Sequence, residues 1–514
     1  MKRLFIAVCL FWSLIAAHSF AGSATWRINP SSNDWYTATN WRPQTVPDAH
    51  EDVATFGASR ITNITLADRV TVDSIVFSPG ADSYTITANP LTLLYVWGVG
   101  VVNNSGVTQS FVSDSTYFFN QATAGSNVVY TQPEDSFYGL VFTQQSNAGN
   151  ATFINEGATS DLTSGGTISF FDTCSAETST IINEEGDPFG GRTGFWGSST
   201  ASSSTITAHR NAAIEFHQES TADSATLVAH SGRIFFKEGS TGANSTITVD
   251  GGTIFFQGQS TGGLAQILLI NGSVLDVGIR SGEVPITIGS LEGDDGIVHL
   301  GGHQLVIGGN GVSTTFGGVI TGGFGNIVKA GDETLTLTGA STYRGGTIID
   351  GGTLLVQTAT GSATGTGPVQ VNAGTFGGRS NIAGLVTVGT GNGNGAFLAP
   401  GVNGTGKLTI KKALTFQADG IYNYELNTNN GRVDQVTAKG VIINNGALFS
   451  FTDLGNSILS PGTVFTVINN TAGTSITGTF SNLPDGSTLT IGSNSYEVNY
   501  EGGDGNDLTL TVVL

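Results

Sequence analysis

The sequence predicts an all-β protein built as a right-handed parallel β-helix (β-solenoid), with a strand-rich N-terminal cap and a C-terminal β region. Three observations predict it. The composition is rich in turn formers and poor in charge, a motif recurs in phase about every 20 residues, and short strands bounded by glycine continue beyond that motif.

Composition comes first. The 514 residues include 74 Gly, 39% are hydrophobic, and only 11% are charged. Gly and Thr are poor helix formers, and disorder combines low hydrophobicity with high net charge. What remains is β-structure. Lys and Arg number 19 against 39 Asp and Glu, a formal charge of −20. That sign speaks against nucleic acid and anionic lipid surfaces as partners, because both call for basic patches.

The N-terminus predicts export. Lys2 and Arg3 precede an apolar run from Leu4 to Ala17, and Ser19-Phe20-Ala21 offers small residues at the −3 and −1 positions, so cleavage is expected after Ala21. The run is too short for a spanning helix, which needs about 20 apolar residues. No later stretch approaches one, so the mature chain is expected to be soluble or held on a surface by something else. Cys9 sits inside the run rather than at its end, so lipidation is not expected. Cys174 is then the only cysteine left. Packing and backbone pairing, rather than an internal disulfide, must stabilise the exported chain.

The repeat sets the architecture. Ala213-Ile214-Glu215-Phe216, Arg233-Ile234-Phe235-Phe236 and Thr253-Ile254-Phe255-Phe256 each lead, four residues after the last Phe, to Ser-Thr. A second strand opens five residues beyond that Thr, at Thr226, Thr246 and Gln266. Looser copies run back through Phe195, Phe170, Phe142 and Phe118, with steps of 24, 28, 25, 21, 20 and 20 residues along the chain. Ile and Phe at i and i+2 share one face of a strand. Stacked about 4.8 Å apart, the seven Phe would form one internal column, with length variation absorbed at the corners. Each coil is buried by its neighbours rather than by itself. A sandwich of hairpins would not hold this phase.

The expected organisation is a signal peptide at 1–21, an N-terminal β cap at 22–110 and a solenoid of regular coils at 111–275. A Gly-rich solenoid follows at 276–380, and a C-terminal β region at 381–514.

Past residue 300 a second motif appears. Lys329-Ala330-Gly331 leads through Leu335-Thr336-Leu337 to Tyr343, then Gly345-Gly346-Thr347-Ile348-Ile349 and Gly351-Gly352-Thr353-Leu354-Leu355-Val356. This stretch, 329–356, resembles the autotransporter-associated β-strand repeat, in which Gly pairs supply positive φ at the corners. The opening residues, Trp26 and Trp35 through Ala54-Thr55-Phe56-Gly57, resemble the start of large exported passenger-like proteins. The close, from Leu398-Ala399-Pro400-Gly401 to Gly502-Gly503-Asp504-Gly505-Asn506-Asp507, resembles their end. The resemblance implies a passenger. No barrel-length block of alternating strands is read in the chain, so a passenger without its translocator is expected.

The chemistry-bearing residues point away from catalysis. A β-helical lyase needs a base and cations for a uronate carboxylate. Between 111 and 275 the basic residues are Arg192, Arg210, Arg233 and Lys237, and on the twenty-residue ruler they fall at different phases, so no basic groove is expected. Glu184-Glu185 and Asp294-Asp295 are adjacent pairs whose members point to opposite faces of a strand, and they read as loop charges. Glu184, His209, His230 and Asp250 should stack on successive coils; a weak metal site there is the sharper reading and a solvated polar corner the plainer one. The segment 502–507 reads as a turn rather than a single calcium-binding repeat, and Cys174 as a small corner residue. No catalytic, cofactor-binding or metal residue is therefore assigned.

The function expected is an exported, adhesin-like surface protein presenting a repetitive β-helical face, secreted or on the cell surface. Its partner would be an extracellular polysaccharide, a matrix component or a cell-surface ligand. The alternatives are a polysaccharide lyase or glycosidase on the same fold, and a surface-layer or filament component.

Overall fold

The computed structural model describes residues 22–135, 138–279, 284–393 and 395–514. The expected leader, 1–21, lies outside them. Among the described residues the strands form five sheets, and the pairing is parallel except near the two ends. A fifteen-stranded sheet runs from the first strands to Val319–Thr321, and an eleven-stranded sheet from Asn63–Leu66 to Ser290–Glu292. The longer sheet crosses residue 110 without a break, so the segment at 22–110 supplies its first coils. The chain is a parallel β-solenoid.

The Phe column forms as the spacing predicts. Phe118, Phe142, Phe170, Phe195, Phe216, Phe236 and Phe256 pair in direct register from coil to coil. Their rings stack 4.7–5.1 Å apart and within 11° of parallel. The longer steps are taken up by the loops at 156–166 and 184–191, which leave the register of the flanking strands intact.

The Ser-Thr step does more than turn a corner. Thr123, Asn147, Ser175, Thr200, Thr221, Thr241 and Thr261 bridge one to the next in parallel, giving each coil a narrow third wall one residue wide. The preceding Ser199, Ser220, Ser240 and Ser260 turn inward and are fully buried. A three-walled coil needs three sharp corners, and each is made by one residue in the left-handed region. In two successive coils these are Gln218, Asp223 and Ser231, then Glu238, Ala243 and Gly251, with φ between 48° and 66°. Such a conformation costs a non-Gly residue about 1–2 kcal/mol. At the first corner hydrogen bonds offset the cost. Glu238 Oε2 accepts the Gln218 N–H at 2.7 Å, Gln218 Oε1 accepts the Gly197 N–H at 2.6 Å, and Asp172 Oδ2 accepts the Gln144 N–H at 2.7 Å.

The N-terminal end is closed by aromatic packing. Trp26, Trp35 and Trp41 gather around Phe56, with ring centroids 4.9–6.1 Å apart. The buried indoles of Trp35 and Trp41 donate to the carbonyls of Pro47 (3.0 Å) and Trp35 (2.7 Å), so burying them leaves neither N–H unpaired.

Two eight-stranded sheets, starting at Ile286–Ile288 and Thr314–Phe316, take over beyond residue 286. They carry the second motif, with Lys329 opposite Ile349 and Leu335 opposite Leu354. Lys329 is buried; its ammonium lies 3.6 Å from Glu333 and donates to the carbonyls of Ala330 and Gly331. The chain ends in antiparallel strands at Val464–Asn470, Asn494–Gly502 and Asp507–Val513.

Candidate functional site

A strand that buries residues i and i+2 turns the others outward. Over five coils of the fifteen-stranded sheet the outward residues form three rows. Thr167, Arg192, Ala213, Arg233 and Thr253 make the first, and Ser169, Gly194, Glu215, Phe235 and Phe255 the second. The third follows the buried Phe of each coil: Phe171, Trp196, His217, Lys237 and Gln257.

Glu215 is the hub of this face. Its Oε2 accepts from Lys237 Nζ at 2.6 Å and lies 3.1 Å from His217 Nε2, and its Oε1 is 3.6 Å from an Arg192 guanidinium nitrogen. Burial alone would raise the carboxyl; bonds from His217 and Lys237 and the Lys237 and Arg192 charges outweigh it and hold it at about 2. Glu215 is therefore a fixed anion rather than a proton carrier near neutral pH.

Aromatic rings flank the hub. The Trp196 indole stacks between Phe171 (5.0 Å, 18°) and His217 (5.2 Å, 11°). On the far side Phe235 stacks on Phe255 at 4.8 Å, and the Lys237 ammonium stands 4.8 Å from the Phe235 ring centre, a cation–π contact. The small side of the grid, at Ser169 and Gly194, leaves a cleft of about 230 Å³ bordered by Arg192, Trp196 and Glu215.

This arrangement corrects one expectation. Arg192 and Arg233 do not fall at different phases: both open their strand three residues before the buried Phe, and they share a row through Ala213. Lys237 reaches the same face through Glu215. Only Arg210 stands elsewhere, in an exposed pair 3.6 Å from Glu185. A fixed step of twenty sets the two arginines one residue out of phase, whereas the coil from Phe195 to Phe216 spans 21 residues and restores their register. The sequence signal of the aromatic row is the residue just after each buried Phe.

The other sequence candidates take their places as follows. His209 and His230 stack with ring centres 5.7 Å apart, and His230 Nδ1 lies 3.0 Å from Asp250 Oδ2. Asp250 also accepts from Asn271 at 2.6 Å, and these bonds lower its carboxyl below the usual range. Among the described residues no three His, Cys, Asp or Glu side chains converge as a metal site would require. Cys174 is buried beside Ser146 at 3.5 Å, and burial raises its thiol. Residues 502–507 form a hairpin turn in which Asp507 accepts the Asn470 N–H at 2.8 Å. Asp294 and Asp295 are exposed.

Residues 327–356 match the family model described as the passenger-associated-transport-repeat. An extracellular serine protease of Serratia marcescens is 30% identical over 167 residues, a match covering 31% of this chain and 15% of that protein. The chain thus spans a small part of that relative's length. The crystal structure of the Haemophilus influenzae Hap adhesin aligns with 90% of this chain and 64% of that one, at 10% identity and a TM-score of 0.22; so distant a likeness does not bear on function. The matched repeat, residues 327–356, thus lies inside a continuous parallel solenoid, and the chain is similar over that stretch to passenger-associated repeats.

Proposed function

We propose that the protein is an exported, adhesin-like surface module that holds an extracellular ligand on the outer face of its fifteen-stranded sheet without transforming it. The observation that carries this reading is the outward grid centred on Glu215. Half-buried aromatic rings and the exposed Arg192 and Arg233 stand there at fixed coil-to-coil spacing on a continuous sheet, a preformed contact surface. Glycosidic hydrolysis normally needs two carboxyl groups about 5–9.5 Å apart, one of them able to hold a proton. The grid carries one carboxylate, already committed to Lys237, His217 and Arg192.

The test joins location and contact. Fractionation of producing cells should place the protein in the medium or on the envelope, and the purified chain should adhere to extracellular matrix while leaving its glycans intact. New reducing or unsaturated ends on a polysaccharide panel would overturn the reading in favour of an enzyme.

A further inference from the structure

We infer that the grid is a binding site for an acidic polysaccharide, a glycan chain bearing carboxylate or sulfate groups, which lies along the Arg192–Arg233 row. The inference deepens the adhesive reading and rests on it.

In a chain with a formal charge of −20, this face gathers three of the four basic residues between 111 and 275. Against Arg192, Arg233 and Lys237 the grid sets one carboxylate, Glu215, so positive charge is in surplus. Arg233 is exposed and forms no ion pair among the described residues. Arg192 spends one nitrogen on a long 3.6 Å contact and keeps a side chain 53% exposed, so most of its donors are unspent. A guanidinium fork matches carboxylate or sulfate geometry in a way an ammonium does not. Two coils separate the arginines, which is about 10 Å at the inter-strand spacing. That geometry suits charges recurring along a polymer rather than one compact anion.

The surroundings choose the track. On the corner side the acids Asp172 and Glu238 border the Trp196–Lys237 row, each bound to a backbone N–H of the neighbouring coil. The residue before each arginine-row position is instead small, uncharged and buried, at Gly191, Ala212 and Gly232, so no acid adjoins the row along its strands. A polyanion is repelled from the corner and accepted along the arginines. The neighbouring hydroxyls of Thr167 and Ser169 and the Trp196 edge supply contacts for the uncharged part of a sugar. The acidity of the whole chain does not prevent this, since at physiological salt its field is screened beyond about 8 Å.

The experiment measures dissociation constants of the full chain for polygalacturonate and for heparin at physiological salt, with neutral dextran as competitor. The variant Arg192→Gln/Arg233→Gln should bind the acidic polymers at least about tenfold more weakly, and Arg210→Gln should bind like the wild type. An unchanged melting temperature in the double variant confirms that folding is not the cause. Preference for polygalacturonate assigns the recognised group as carboxylate, and preference for heparin as sulfate. Equal affinities for the double variant and Arg210→Gln, competition by dextran, or no binding of either acidic polymer would overturn the site. Matrix adherence separates the two claims: adherence that persists in the double variant leaves the adhesive reading standing and removes this site, whereas a wild-type chain that never adheres removes the reading itself.

Discussion

The Trp196 indole occupies the space a side chain on Gly194 would need. A Cβ built on Gly194 would collide with Cη2 of that ring, because both residues face outward on the same strand two positions apart. Gly194 therefore lets the indole lie back across the sheet, between Phe171 and His217. Backbone strain is not the reason for glycine here. Gly194→Ala should displace the indole while leaving the strand in place. Tryptophan emission should become more accessible to a collisional quencher, with far-ultraviolet circular dichroism unchanged. Unchanged quenching would mean that the ring tolerates the methyl.

Glu215 predicts an acid limb of stability. Its carboxyl is lowered from 4.5 to about 2 in the folded chain. A lowered acid stabilises the fold fully above its unfolded value and loses that contribution as pH falls through the folded one. The window is therefore about pH 4.5 down to 2, and the amount at stake is at most about 3 kcal/mol. Urea unfolding should find Glu215→Gln less stable than wild type at pH 7, with the gap closing as pH falls through that window. A gap that persists at pH 2 would locate the effect in packing instead.

The Phe column should behave as packed core. Phe236 is fully buried between Phe216 and Phe256, at 4.8 and 5.1 Å. Truncation to Ala should cost about 3–5 kcal/mol. Phe236→Asp buries a charge with no partner and should abolish cooperative unfolding of the region. Retained cooperativity would contradict an internal column.

Ala243 offers a stabilising change. It sits at φ 48°, where its Cβ is strained and glycine is not, while the next coil has Gly263 at the same corner with φ 59°. Ala243→Gly removes the strain at the cost of extra unfolded-chain entropy. The expected net gain is up to about 1 kcal/mol in chemical denaturation. A loss of stability would show that the corner is relaxed as it stands.

Lys329 and Glu333 form a buried pair in the second motif, with side chains 1% and 5% exposed. Glu333 Oε1 also accepts the Gly309 N–H at 2.7 Å. Glu333→Gln leaves a buried ammonium without its counter-ion and should cost about 3–5 kcal/mol. Lys329→Met/Glu333→Gln should recover much of that loss, because removing both charges also removes their desolvation. A double variant as unstable as the single would show that geometry, rather than charge, is what the pair provides.

The sequence by itself determined the fold class, the inward Phe column and the coil count between Phe118 and Phe256, because burial of i and i+2 on short strands leaves a spacing that no hairpin array keeps. It also placed the Glu184, His209, His230 and Asp250 column correctly, since a polar corner inherits the register of the strand before it. The tertiary structure decided what stands outside. Whether Arg192 and Arg233 share a row depends on where a coil of 21 residues takes up its extra residue, and composition says nothing about that. The third wall was likewise invisible, because a bridge one residue wide leaves no alternation to detect. Outward rows are set by coil-to-coil register rather than by burial, so the face that gathers Arg192, Glu215, Trp196 and Lys237 exists only once the coils are stacked.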